Sequence, residues 1–187
     1  GISICITGAF HEDGFADFCD GFGGGRTKEK NLEIMKDSRV GAFGVIGMII
    51  LLLTKFLSLS KIPINILPVS IIIGHTISRF SAVLLIFTHE YVRDDQNDKS
   101  KPIGKGLNSS ELLFASAAAF LPFALFPKVG FLLIVLAILL IKGLFARYIK
   151  KKIGGYTGDC LGALQQITET SFYIFVLVYS EMYNFVL

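Results

Sequence analysis

The 187 residues are 52% hydrophobic, with a mean hydropathy of +0.62, only 18% charged residues and a net charge of +3. Apolarity on that scale excludes a soluble all-α domain, while so small a net charge says little by itself; no nucleic-acid partner is expected. The charges are also segregated: residues 40–54, 62–74, 112–127, 129–141 and 170–180 contain none. Long uncharged runs between polar loops predict an all-α, polytopic integral membrane bundle.

In chain order, the opening GISICITGAF reads as the last turns of an apolar helix. It is too short to cross a bilayer, which takes about 20 residues. An upstream part of a longer chain is therefore expected, with residues 1–187 forming one membrane-embedded catalytic domain. Cys5, Cys19 and Cys160 are far apart and show neither a disulfide framework nor a zinc spacing.

Residues 11–39, HEDGFADFCDGFGGGRTKEKNLEIMKDSR, carry the chemistry. Asp13, Asp17 and Asp20 stand at i, i+4 and i+7. On a helix their side chains fall within roughly 60° of one another. Three carboxylates on one stripe repel unless a cation sits between them, and carboxylate oxygens suit Mg²⁺. Gly23, Gly24 and Gly25 follow, then Arg26 and Lys28. A glycine-rich loop with bases is expected to cradle phosphate. Thr27 predicts an N-cap for a helix over 28–38, with Leu32, Ile34 and Met35 on an interfacial stripe.

The first complete span is expected over 40–57, where Gly41, Gly44 and Gly47 recur every three residues and allow close helix approach. The second, over 64–87, carries His75 and Arg79 one turn apart. An intramembrane arginine is costly and faces a polar interior, which makes Arg79 a candidate phosphate contact and His75 a weaker one. A solvated loop is expected over 88–111, including Asp94, Asp95 and Asp98. Apolar runs over 112–126 and 129–149 predict a hairpin broken at Pro127-Lys128, with Lys142 and Arg147 near its end. In the polar stretch over 150–169, Gly154, Gly155, Gly158 and Asp159 precede a polar helix start with Gln165, Gln166 and Glu169, and a last apolar span is expected over 170–187. The count is five complete spans plus the end of a sixth helix.

Even crossing numbers put the three polar loops on one face. Twelve bases lie in those loops, against Lys61 and Lys128 on the opposite turns. That bias predicts a cytoplasmic face for the loops and a multi-pass protein of the cell (inner) membrane.

The stretch HEDGFADFCDGFGGGRTKEKNLEIMKDSRVGAFG, residues 11–44, resembles the signature of the cobalamin synthase (adenosylcobinamide-GDP ribazoletransferase) family. GGYTGDCLGALQQITE, residues 154–169, resembles that family's second signature. The resemblance implies a membrane enzyme joining adenosylcobinamide-GDP to α-ribazole or its 5′-phosphate with release of GMP and a requirement for Mg²⁺. It implies Asp13, Asp17 and Asp20 as metal ligands, with Asp37 and Arg39 also matching the motif; Glu12 is left unassigned. Arg26, Lys28, Arg39, Arg79, Gln166 and Gly23 to Gly25 are the candidate substrate and phosphate contacts. For the residue that accepts the hydroxyl proton, Asp20, Asp37 and Asp159 stay open. The first motif is also similar, more loosely, to that of CDP-alcohol phosphotransferases, which leaves a lipid-acting phosphotransferase as the alternative. A transporter lined by Arg79 and Lys142 is the reading from another class. A homo-oligomer is allowed.

Overall fold

The computed structural model describes residues 1–92, 107–125 and 130–182. Its elements are helical: α1 (Ile2–Thr7), α2 (Phe10–Gly24), α3 (Lys28–Ile34), α4 (Ala42–Lys61), α5 (Leu67–Thr88), α6 (Ser109–Phe120) with a 3₁₀ turn (Leu121–Leu125), α7 (Gly130–Ile153) and α8 (Gly158–Met182). Among the described residues, four helices are long and apolar enough to cross a membrane: α4, α5, α7 from Leu132, and α8. The protein is a polytopic helical bundle. One face of α4 stays open, with Ile46, Ile49, Ile50, Leu53 and Leu57 all exposed. In water that face would be a large apolar patch; in a bilayer it is the lipid contact.

Three boundaries differ from expectation. The run over 112–126 forms the short α6, opened by an Asn108–Glu111 capping box, and the 3₁₀ turn after it. At 12 residues α6 is about 18 Å long, too short to span alone. The last span starts at Gly158 rather than 170, so residues 158–169 are part of that same helix. Their polar side chains do not seek solvent, because Gln165, Gln166 and Glu169 find partners inside the bundle. The helix expected over 28–38 also ends early, at Ile34, although Thr27 caps it as foreseen, accepting from the Lys30 amide at 3.3 Å. The acidic loop with Asp94, Asp95 and Asp98, and the Pro127-Lys128 turn, lie outside the described residues.

α8 is the central helix, packed by α2, α4, α5 and α7. One apolar cluster joins Phe15, Phe145, Ile149 and Leu164; a second joins Ile73, Ile77, Ile138 and Phe172. The α2–α8 crossing is backbone on backbone. A Cβ on Gly14 would lie 3.1 Å from Asp159 Cα, and one on Gly162 would lie 3.0 Å from the His11 carbonyl oxygen. α4 also approaches α2 closely: a Cβ on Gly44 would lie 3.1 Å from the Ala16 carbonyl oxygen, and one on Gly47 2.6 Å from Cys19 Sγ. The Gly41–Gly44–Gly47 spacing is thus used for close approach, as the sequence predicts.

The three loop regions meet at one end of the bundle. The Val92 amide donates to the Tyr156 carbonyl at 3.0 Å and the Tyr156 amide to the Glu90 carbonyl at 3.0 Å. A Cβ on Gly154 would lie 3.5 Å from Lys28 Nζ, which brings the 25–41 connection to the same end.

Candidate active site

α2 holds Asp13, Asp17 and Asp20 on one continuous helix, so the predicted stripe exists. Its members differ in surroundings. Asp13 is exposed and Asp17 half-buried, whereas Asp20 is buried. The Asp20 carboxylate accepts from the Gly41 amide at 2.6 Å and the Gly44 amide at 2.8 Å. Those are the N-cap and N3 amides of α4, so Asp20 caps a transmembrane helix from a neighbouring element, where the helix dipole favours negative charge. Asp159 opens α8 directly beside Gly14, between Asp13 and Asp17 along α2.

Among the described residues no three His, Cys, Asp or Glu side chains converge tightly enough to form an all-protein metal cage. The donor set nevertheless fits Mg²⁺. That ion is ordinarily held by one or two carboxylates, with substrate phosphates and waters completing the shell. Asp13, exposed, and Asp17, half-buried one turn on along α2, are the two carboxylates that would hold it.

The glycines after the stripe are not a loose anion cradle. Gly23 and Gly24 close the last turn of α2, and the Gly25 amide bonds back to the Gly21 carbonyl at 3.0 Å. The turn is wound around Asn31, which is 1% exposed. With its amide nitrogen inward, Asn31 faces the carbonyls of Gly21 (3.2 Å), Gly25 (3.0 Å) and Thr27 (3.0 Å). A helix C-terminus points carbonyls and negative dipole at its surroundings, which disfavours phosphate there. The cations beside it, Arg26 and Lys28, are exposed. A Cβ on Gly25 would collide with the Asn31 side chain, which explains glycine at that position without a ligand.

Asp37 and Arg39 pair across a tight turn. Arg39 Nε donates to Asp37 Oδ1 at 3.0 Å and Nη2 to Oδ2 at 2.6 Å, and the Arg39 amide also donates to Oδ1. The Arg39 side-chain hydrogen bonds hold the Asp37 carboxyl down to about 2. Both line an open cavity of about 480 Å³ with Asp20, Gly24 and Gly41, at the loop-bearing end of the bundle.

A second polar constellation lies inside. Gln166 Nε2 donates to Glu12 Oε1 at 2.9 Å, and Lys55 Nζ donates to Gln166 Oε1 at 2.6 Å. Lys55 Nζ lies 3.1 Å from Glu169 Oε1, whose partner oxygen is 3.4 Å from His75 Nδ1. Gln165 and Tyr173 also donate to Glu169, and Arg79 Nη1 contacts His75 Nδ1 at 3.1 Å and its carbonyl at 3.0 Å. Eight residues from four helices, α2, α4, α5 and α8, thus close one network, roughly 15–20 Å from the loop-bearing end at 1.5 Å per residue. Arg79 faces the bundle interior as predicted. Gln166, expected at a polar helix start, is 2% exposed within α8. Lys142 instead reaches Thr88 Oγ1 at 2.8 Å at the end of α5.

The cobalamin-5-phosphate synthase family model matches residues 1–177. The chain belongs to that family. Curated relatives agree: the adenosylcobinamide-GDP ribazoletransferase of Shewanella amazonensis is 43% identical over 180 residues, covering 94% of this chain and 69% of that protein. Those of Shewanella oneidensis and Shewanella piezotolerans are 42% and 41% identical over 94% of this chain, which covers 68% and 69% of those proteins. No solved structure matches. In this member of the family, the two signature stretches at 11–44 and 154–169 are those that pack together at the Gly14–Gly162 crossing.

Sequence reasoning missed Lys55, Glu12 and Glu169 as members of one network. Lys55 carried a readable signal, a lone lysine inside an apolar run, the same signal that singles out Arg79. Glu12 and Glu169 carried none, because each lies in a polar stretch at a helix start, where a carboxylate is unremarkable.

Proposed function

We propose that this chain transfers the cobinamide-phosphate group of adenosylcobinamide-GDP to α-ribazole or its 5′-phosphate, with Mg²⁺. The observation that carries the reading is the family match over residues 1–177, whose first signature forms the carboxylate-bearing α2. A ribazole hydroxyl oxygen bonds to the phosphorus that carries cobinamide. The bridging P–O bond breaks, GMP leaves with the bridging oxygen, and the hydroxyl proton is released.

Asp13 and Asp17 hold Mg²⁺ in this reading, with Asp20 anchoring the same helix end. When bound, the ion supplies charge neutralisation on the diphosphate oxygens. Arg26 and Lys28, exposed at the loop-bearing end, offset the remaining negative charge of the leaving nucleotide. Of the candidate proton acceptors, this reading favours Asp159. Asp20 spends its oxygens on two backbone amides, and a carboxyl held as low as Asp37 is a weak base. Asp159 sits against Gly14, next to the stripe.

The working face in this proposal is cytoplasmic. The support is the gathering of three loop regions at one end and the lysine and arginine excess in those loops. The test is GMP release by purified protein in lipid nanodiscs from adenosylcobinamide-GDP, with and without α-ribazole and Mg²⁺. Release should require all three. Release of CMP from a CDP-alcohol donor, with none of GMP, would replace this reading by the lipid phosphotransferase.

A further inference from the structure

Glu12 and Asp13 are neighbours on α2 with opposite surroundings: Glu12 is 7% exposed, and Asp13 lies at the surface. Successive side chains on a helix stand about 100° apart. Whatever fixes Glu12 in the interior therefore also fixes the direction in which Asp13 leaves α2. The Gly14–Gly162 crossing does not do this by itself. Glycines let two backbones approach closely, but they offer no side chain to resist rotation about the helix axis.

The contact that resists rotation is one hydrogen bond with a chain of partners behind it. Gln166 Nε2 donates to Glu12 Oε1 at 2.9 Å inside the bundle. An amide can present either its oxygen or its nitrogen, and Lys55 settles which. The Lys55 ammonium only donates, so at 2.6 Å from Gln166 Oε1 it turns the amide nitrogen toward Glu12. Lys55 is held in turn by Glu169 Oε1 at 3.1 Å, and the Tyr173 hydroxyl donates to that same oxygen at 3.2 Å. The result is a directed chain, Glu169–Lys55–Gln166–Glu12, running from α8 through α4 and back through α8 to α2.

Helix packing alone does not call for such a chain. A buried ion pair is often no more stabilising than apolar residues of the same volume, and fixing register is its best-attested use. A metal ligand benefits from fixed register. Groups behind a ligand orient it, and losing one ordinarily costs about ten- to a hundredfold in metal affinity.

We propose that Glu12, Gln166 and Lys55 are positioning residues for the metal site: their hydrogen-bond chain sets the rotation of α2, and with it the direction of the Asp13 carboxylate. The proposal rests on Asp13 and Asp17 holding Mg²⁺, as in the proposed function. All three residues act through Asp13 rather than on the ion.

The test is binding of Mn²⁺, a paramagnetic stand-in for Mg²⁺, to the protein in nanodiscs without donor or acceptor. It is read by electron paramagnetic resonance, beside thermal unfolding and GMP release. Wild type should bind an ion that Asp13→Asn weakens. Gln166→Leu, close in volume but without the hydrogen bond, should weaken Mn²⁺ binding about tenfold. It should raise the Mg²⁺ concentration for half-maximal GMP release by a similar factor. Glu12→Gln keeps an oxygen for the Gln166 amide and should keep wild-type Mn²⁺ affinity, which separates positioning from charge. Gln166→Asn, one methylene short of Glu12, takes the place of Gln166→Leu if that variant does not fold, with the same loss expected. A lowered melting temperature with wild-type Mn²⁺ affinity in these Gln166 variants would make the chain structural only and overturn the proposal, while the reaction stands. A wild type that releases GMP yet binds no ion through Asp13 would overturn the metal site, and the positioning role with it. Ion binding that depends on Asp13 and Gln166 in a protein that releases no GMP would overturn the reaction and leave the positioning role in place.

Discussion

Asp20 caps α4 from α2: its Oδ1 accepts the Gly44 amide at 2.8 Å, and Oδ2 takes the Gly41 amide. The aspartate stripe therefore divides its labour, with Asp20 holding two helices together while Asp13 is exposed and Asp17 half-buried. Asp20→Ala should lower unfolding stability by about 1–3 kcal/mol, the cost of two orphaned amides and a lost charge-assisted cap. Asp13→Asn, at an exposed position, should leave thermal unfolding in nanodiscs unchanged. Equal melting of the two variants would remove the division.

The Lys55–Glu169 pair is buried, with side-chain exposures of 15% and 4%. Removing one partner strands the other, so Lys55→Met should cost about 3–5 kcal/mol. Adding Glu169→Gln should recover much of that loss. A double-mutant cycle on unfolding measures it, and simple additivity would mean that the two charges act independently.

Asp37 titrates at about 2 because Arg39 donates to it. A depressed carboxyl stabilises the fold above its unfolded value of about 3.9, and that contribution is lost as pH falls through about 2. Asp37 is therefore ionised across the whole assay range. Asp37→Asn should shift neither limb of the pH–rate profile, whatever it does to the rate. Disappearance of the acid limb in that variant would make Asp37 the titrating base.

The gathered loops make a topological prediction. In a background without Cys5, Cys19 and Cys160, Lys30→Cys and Lys151→Cys should be labelled by an impermeant thiol reagent from the same side of oriented vesicles, and not in intact cells. Labelling from opposite sides would break the crossing count.

What was legible follows from periodicity. Uncharged runs gave α4, α5 and α7 almost to their ends, and i, i+4, i+7 spacing gave the stripe. Illegible were the places where a polar residue is polar because of a distant partner. Gln166 meets Glu12 across 154 positions, and Lys55 meets Gln166 across 111. No local pattern encodes such pairs, so 158–169 resembled a polar helix start outside the last span. The triple glycine misled for the opposite reason: its local signal is real, but Asn31 and not a phosphate fills the turn. Glu12, left out of the stripe, is tied into the interior network, so Glu12→Gln tests packing rather than the metal.

The central claim is that Asp13 and Asp17 act together on one Mg²⁺ ion. The direct measurement is kcat/KM for GMP release in Asp13→Asn, Asp17→Asn and the double variant, at matched membrane expression. Each single change should cost roughly 100-fold or more, the scale of losing one electrostatic stabiliser. The double variant should cost little beyond either alone, because ligands of one ion fail as a unit. Losses that multiply, or a single variant turning over at the wild-type rate, would contradict the shared site.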